Sequence, residues 1–226
     1  MAGWTIQRSR RHVSGAADDG AYALVNSGPP GAADQVVAAV ARATGGAGLR
    51  SILVTQAHPD HAGGLQALRS VWNPAISCYR QDLPFVTGHV QYRQLPGRHL
   101  TYAIGRHFLG NADWRLPVAR DLEAGQSAEG MSVIHLPGHS PGQIGFLHPV
   151  DNAMLCGDAL GNNTGRLRAP SAVVTWDPTL AEELIARLGE LDFELLLPAY
   201  GPPILEAGRQ AVLEYLGRAG DLPYGR

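Results

Sequence analysis

Apolar residues along this 226-residue chain recur with two different periods, and the switches between them mark most of its elements. Residues 21–26 form a short apolar run that ends at Ser27-Gly28-Pro29-Pro30-Gly31, the pattern of a strand entering a turn. Over 32–44, Val36, Val37, Val40 and Ala41 return at helical spacing, and Gly45-Gly46 closes that helix. Residues 51–55 are apolar and β-branched and predict a strand, followed by a helix over 62–72 and a strand over 75–79. Strand–helix–strand–helix order predicts parallel strands with covering helices. The periodicity fades over 81–124, where scattered glycine, proline and aromatics predict short helices and loops. Three strands separated by turn residues are expected at 131–136, 143–148 and 153–156. A helix follows over 178–191, with Pro178 in its first turn and Leu180, Leu184 and Leu188 on one face. A buried strand at 193–197 and a closing helix over 206–218 complete the pattern.

Length fits one α/β domain over 1–226, and the 45% apolar content supplies a substantial core. All 18 basic residues are arginines, none of them in a basic run, and the formal charge is only -2. That balance argues against nucleic acid or an anionic membrane as partner and leaves a small-molecule substrate as the expectation. Cys78 and Cys156 are too few for a disulfide framework or a four-thiolate zinc site. Arg8, Arg10 and Arg11 stand where the apolar stretch of a leader would be needed, and no segment is long and apolar enough to span a bilayer. A cytoplasmic protein is expected.

Four short segments carry the candidate chemistry, and each sits where a strand ends. Thr55-Gln56-Ala57-His58-Pro59-Asp60-His61-Ala62-Gly63-Gly64 packs two imidazoles and a carboxylate into four residues of a tight loop, a composition that suits a transition metal. His135-Leu136-Pro137-Gly138-His139-Ser140-Pro141-Gly142 brackets a histidine with proline and glycine. Met154-Leu155-Cys156-Gly157-Asp158 delivers a carboxylate at a strand tip, and Pro198-Ala199-Tyr200-Gly201 closes the set. Taken singly, His58, His61 and His139 also suit solvated turns, and Asp60 or Asp158 a helix cap. The conjunction in order is far more specific.

That conjunction resembles the metallo-β-lactamase superfamily over nearly the whole chain. The family's loop reads Thr-His-x-His-x-Asp-His, followed by Pro-Gly-His-Thr/Ser-Pro-Gly, then Gly-Asp after a strand, then Gly-His-Gly near the end. Val25-Asn26-Ser27-Gly28 is similar to its early Ile-Asp-Thr-Gly. The resemblance implies an αββα four-layer sandwich, two mixed sheets face to face with helices outside, and a metal site on loops at one edge. Carried over by position, a first metal position would draw on Gln56, His58, His139 and Asp158, and a second on Asp60, His61, Asp158 and Tyr200.

Each position has lost one histidine. Gln56 offers only a neutral amide, a weak zinc ligand beside imidazole. Tyr200 binds metal well only as phenolate, which favours ferric iron, and the preferred reading is that it fills space and donates a hydrogen bond. His58, His139 and Asp158 remain a complete minimal set, so one ion is expected, zinc first and iron second. The leading expectation is a metal-dependent hydrolase of a small ester, thioester or lactone. In it a bound metal lowers the pKa of its water, and Asp60 serves as base or orients that water. Arg166 and Arg168 are weak candidates for gripping an anionic substrate group, a solvated loop being as good an account. An iron oxidoreductase of the same fold and a non-catalytic ligand-binding relative are the alternatives.

Overall fold

The computed structural model describes residues 5–8, 22–90, 116–118 and 120–220. In chain order they form β1 (Thr5–Arg8), β2 (Tyr22–Val25), α1 (Ala33–Thr44), β3 (Leu49–Val54), α2 (Pro59–Ala62), α3 (Leu65–Trp72), β4 (Ala75–Tyr79) and α4 (Leu83–Val86). The second half holds β5 (Arg120–Leu122), β6 (Ser127–Ala128), β7 (Met131–His135), β8 (Ile144–His148), β9 (Ala153–Gly157), α5 (Pro178–Leu188), β10 (Leu195–Pro198) and α6 (Gly208–Gly220).

Two five-stranded sheets result, one ordered β1-β2-β3-β4-β5 and the other β10-β9-β8-β7-β6. In the first, β2 to β5 run parallel and β1 is antiparallel. In the second, β6 to β9 are antiparallel and β10 pairs parallel to β9. Both are therefore mixed, as the resemblance implies.

Central strands are apolar on both faces because each sheet is covered twice. On β3, Ile52 and Val54 face a layer shared with Val36 and Val40 of α1 and Leu65 and Leu68 of α3. Leu53, between them, turns the other way and meets Phe146, Met131 and Leu155 of the second sheet. On β9 the alternation repeats: Leu155 faces the sheet–sheet layer, while Met154 and Cys156 pack under Leu184, Ile185 and Leu188 of α5. Three apolar layers thus separate helix, sheet, sheet and helix, the four-layer sandwich. Burying each large side chain of these layers stabilises the fold by about 2 kcal/mol.

The expected helix over 62–72 divides into α2 and α3 at Gly63-Gly64. A β carbon at Gly63 would strike the Pro30 ring and one at Gly64 the Ser27 carbonyl, so the backbone of the metal-loop segment lies directly on the turn after β2. The stretch expected as short helices and loops over 81–124 contains α4 but also β5, which extends the first sheet. Its middle, 91–115, lies outside the described residues. No helix among the described residues is long and apolar enough to cross a membrane.

Candidate metal centre

β2, β3, β7, β9 and β10 all end at one edge of the sandwich, and the segments that follow them meet there. After β3 the chain runs Thr55-Gln56-Ala57-His58, and the Ile144 amide of the opposite sheet donates to the Thr55 carbonyl at 2.8 Å. That bond ties the two sheets together beneath the site. His58 is the N-cap residue of α2, extended at φ -70 and ψ 146, and Pro59 opens the helix that presents Asp60 and His61. Ser27 anchors this helix: its amide and its hydroxyl both donate to the His61 carbonyl, at 2.7 and 2.9 Å. After β7, Gly138 and His139 are fixed from behind, since the amides of Asp177 and Trp176 donate to their carbonyls.

His58, His61, His139 and Asp158, with Gln56 among them, are all buried. His139 Nε2 lies 3.2 Å from His58 Nδ1 and 3.3 Å from Asp158 Oδ2. Asp158 Oδ1 lies 3.1 Å from His61 Nε2, which is 3.5 Å from Asp60 Oδ2. Asp60, His61 and Asp158 each place a donor atom within 4.8 Å of the other two. Asp158 is the residue common to both halves of the cluster, as the resemblance implies.

Electrostatics follow from this crowding. Burial first, then the neighbouring His139 and His61, push His58 well below its ordinary value, which keeps the imidazole neutral with a lone pair to give. Burial would raise Asp158, but the charge of His61 and hydrogen bonds from His139 and His61 outweigh it and hold the carboxylate ionised. Burial also opposes the proton on His61, yet the charge and hydrogen bond of Asp158, with Asp60 and Asp82 behind them, raise it to about 9. Burial, followed by the charges of Asp60 and Asp158, raises Tyr200, which therefore stays a phenol.

Tyr200 Oη donates to Asp60 Oδ2. This is the hydrogen-bonding role preferred for it from the sequence. Gln56 Nε2 lies 2.9 Å from His61 Nε2, and Gln56 Oε1 is buried with no hydrogen-bond partner among the described residues. Asp60 is 27% exposed and is the part of the cluster that opens toward solvent. Arg166 and Arg168 are exposed on a loop pinched by the reciprocal Gly161 and Arg168 backbone bonds. Neither side chain makes a hydrogen bond or ion pair to the cluster among the described residues.

Three supporting residues were not foreseen as such. Asn26 Oδ1 accepts from both the amide and the hydroxyl of Thr55, at 2.9 and 3.0 Å, and Thr55 Oγ1 in turn lies 3.3 Å from His61 Nδ1. Asp82 Oδ2 accepts from the Ala57 amide at 2.6 Å, inside the metal loop. Thr175 Oγ1 lies 3.4 Å from His139 Nδ1. Only Asn26 carried a signal, since asparagine before Ser-Gly tolerates the left-handed backbone it adopts at φ 64.

Set against known proteins, the sequence profile of the metallo-beta-lactamase superfamily matches residues 14–200. The chain belongs to that superfamily. The YflN protein of Bacillus subtilis (strain 168), named a probable metallo-hydrolase, is 26% identical over 204 residues, covering 81% of this chain and 76% of that one. A hydroxyacylglutathione hydrolase of Pseudomonas aeruginosa (strain LESB58) is 32% identical over 119 residues, half of this chain and only 33% of that enzyme. Among solved structures, TTHA1623 in a di-iron-bound form superposes with a TM-score of 0.66 at 25% identity, covering 90% of this chain and 89% of that one. The superfamily is one of metal-binding hydrolases, and the fold here is its fold.

The donor set fits a cation at the first position. Thr175 donates its hydroxyl proton to the Ser171 carbonyl at 2.8 Å, so it receives the Nδ1 proton of His139 and, in the neutral ring, leaves Nε2 with a lone pair. That lone pair faces a neutral imidazole and an ionised carboxylate at close range. Two buried imidazoles and a buried carboxylate in successive contact are a donor set that suits a divalent ion.

Proposed function

We propose that this protein is a hydrolase of a small ester, thioester or lactone and that it uses one divalent ion held by His58, His139 and Asp158. The observation that carries this reading is the buried trio itself, with His58 Nδ1, His139 Nε2 and Asp158 Oδ2 in successive contact and Gln56 Oε1 without a partner among the described residues. When bound, such an ion supplies a Lewis acid for the scissile carbonyl and acidifies a water molecule. Thr175 holds His139 at Nδ1, and Asn26, through Thr55, holds the neighbouring His61 at Nδ1. Asp60 reaches solvent at the mouth of the site, where its oxygen not bonded to Tyr200 orients the attacking water or takes its proton. Arg166 and Arg168 are available for an anionic group on the substrate. The hydroxyacylglutathione hydrolase similarity favours a thioester within this class.

Zinc is the first choice and iron the second. Two imidazoles and a carboxylate suit both, and the di-iron form of TTHA1623 keeps iron in play. Elemental analysis and hydrolysis of a hydroxyacyl thioester test the reading together. Wild type should hold about one ion per chain, and Asp158→Ala should lose both the ion and the activity. Asp158→Ala at wild-type activity would remove the site from this place in the fold.

A further inference from the structure

Gln56 and Tyr200 do more in the structure than stand where imidazoles are missing. Each directs its polar end onto one of the two residues that belong to the second position alone. Gln56 Nε2 meets His61 Nε2 at 2.9 Å, and Tyr200 Oη donates to Asp60 Oδ2. Asp158, shared with the first position, is touched by neither of these hydrogen bonds.

The orientation of the first contact follows from its surroundings. An amide N–H can only donate, so Thr55 N at 2.9 Å requires that Asn26 present its oxygen. Thr55 Oγ1 at 3.0 Å must donate to that same oxygen, which leaves the hydroxyl to receive the Nδ1 proton of His61. In the neutral ring, Nε2 then carries the lone pair that a metal would use, and the Gln56 amide N–H covers it. A protonated ring changes the partner but not the outcome, because the amide can turn over and present its oxygen. Either way the coordinating edge of His61 is taken.

The second contact closes the other ligand. The Tyr200 hydroxyl donates to Asp60 Oδ2, the carboxylate oxygen that lies 3.5 Å from His61 Nε2. The loop carrying Tyr200 is held in place independently. The Asn162 amide donates to the Tyr200 carbonyl at 2.8 Å, and its side-chain amide donates to the Pro202 carbonyl at 2.9 Å. Asp60, His61 and Asp158 converge well enough to hold an ion. What bars one is the pair of donors already seated on them.

We infer that Gln56 and Tyr200 are caps that keep the Asp60–His61 position closed to a cation, turning a second metal position into a hydrogen-bonded wall of the site. The inference rests on the one-ion reading of the first position but is tested separately from it. Its direct rival is Tyr200 as a phenolate ligand to a ferric ion in that same position.

Gln56→Leu and Tyr200→Phe each remove a donor without adding a ligand. Zinc titration by calorimetry on wild type, both single variants and the double variant reads the result. The double variant should take up about one zinc ion more per chain than wild type, because Asp60, His61 and Asp158 are then uncovered. An unchanged stoichiometry overturns the inference, as does a wild type that already binds two. The count in wild type judges the first position, and the increment judges the caps. Zero in wild type with one in the double variant therefore sinks the former and keeps the latter. A second measurement needs no foldable double variant. Aerobic loading of wild type with ferric iron should give no visible phenolate-to-iron absorption band. A band that vanishes in Tyr200→Phe makes Tyr200 a ligand and overturns the inference.

Discussion

Thr175 Oγ1 stands 3.4 Å from His139 Nδ1 while donating to the Ser171 carbonyl at 2.8 Å, so one hydroxyl proton fixes the tautomer of a histidine 36 residues away. In the neutral ring this leaves the His139 Nε2 lone pair toward His58 and Asp158. Behind His61, Thr55 plays the same part with Asn26 as its acceptor. Both rings are thereby held at Nδ1 by hydroxyls whose own protons are already committed, an arrangement that turns Nε2 of each toward Asp158.

Replacing Thr175 by valine keeps the shape and removes the acceptor. The His139 ring is then free to carry its proton on Nε2. Affinity for zinc at the first position should fall by about 10- to 100-fold, and Thr175→Ser should recover most of it. Competition against a chromophoric chelator measures both. Equal affinity in Thr175→Val would mean that packing alone orients His139.

Asp82 supports the same loop from the other side. Its Oδ2 accepts from the Ala57 amide, and its Oδ1 is buried against Gly142 with no hydrogen-bond partner among the described residues. Burial lifts its carboxyl from 3.8 to about 7, against the opposing effects of the Ala57 bond and the His61 charge. A group raised in the folded state stabilises fully below its unfolded value and loses that contribution as pH climbs to its folded one. In metal-free protein, Asp82→Asn should therefore gain melting temperature relative to wild type as the pH rises from about 4.5 to about 7.5, then hold a constant difference. The amide oxygen can still accept from Ala57. Thermal melts of both proteins across that range test the slope, and a flat difference would mean that Asp82 titrates normally.

Much of this was legible in the sequence, for physical reasons. Strands buried on both faces are continuous apolar runs, and β2, β3, β4, β8 and β9 stand out as such. The segments that follow β3, β7 and β9 carry His58, Asp60, His61, His139 and Asp158, and the fold brings all five together. β5 and β6 were missed because two or three polar-flanked residues have no period to read. The break at Gly63-Gly64 reflects contact with Ser27 and Pro30, more than thirty residues earlier in the chain. Asp82 and Thr175 were invisible for the same reason: an aspartate after a strand or a threonine before a helix has no local mark of what it touches. The capping by Gln56 and Tyr200 lay between these cases. Their identity was readable at once, but the partners they took required the fold.

Cys78 and Cys156 have no place in the proposed chemistry. Burial, followed by the charges of Asp82 and Asp121, pushes the Cys78 thiol upward. Burial likewise pushes Cys156 up to about 12, and its thiol donates to the Leu160 carbonyl. Neither should react with a disulfide reagent in the native state at neutral pH, and both should react once the chain is unfolded. Counting thiols spectrophotometrically before and after denaturant decides this. A thiol that reacts at once in the native protein would place a thiolate at an exposed position that the fold does not show.

Restoring the two histidines asks more than removing the caps does. Gln56→His replaces a weak amide donor with imidazole beside His58, His139 and Asp158, so its main effect should be tighter binding of the first ion. Tyr200→His releases Asp60 and supplies the fourth donor to Asp60, His61 and Asp158, so its main effect should be a second ion. The double histidine variant should bind close to two zinc ions per chain, the second at least about tenfold tighter than in a variant that merely lacks the caps. The comparison separates two contributions that wild type combines, the hydrogen bonds that close the position and the ligand that is missing from it. Orientation limits the gain, because an imidazole at either place needs its own second partner, as Thr175 provides for His139. Calorimetric titration of the two series side by side gives the answer. If the histidine pair binds its second ion no more tightly than the leucine–phenylalanine pair, the new imidazoles do not reach the metal. A stoichiometry that stays at one in both series would mean that neither the caps nor the lost ligands set the metal count.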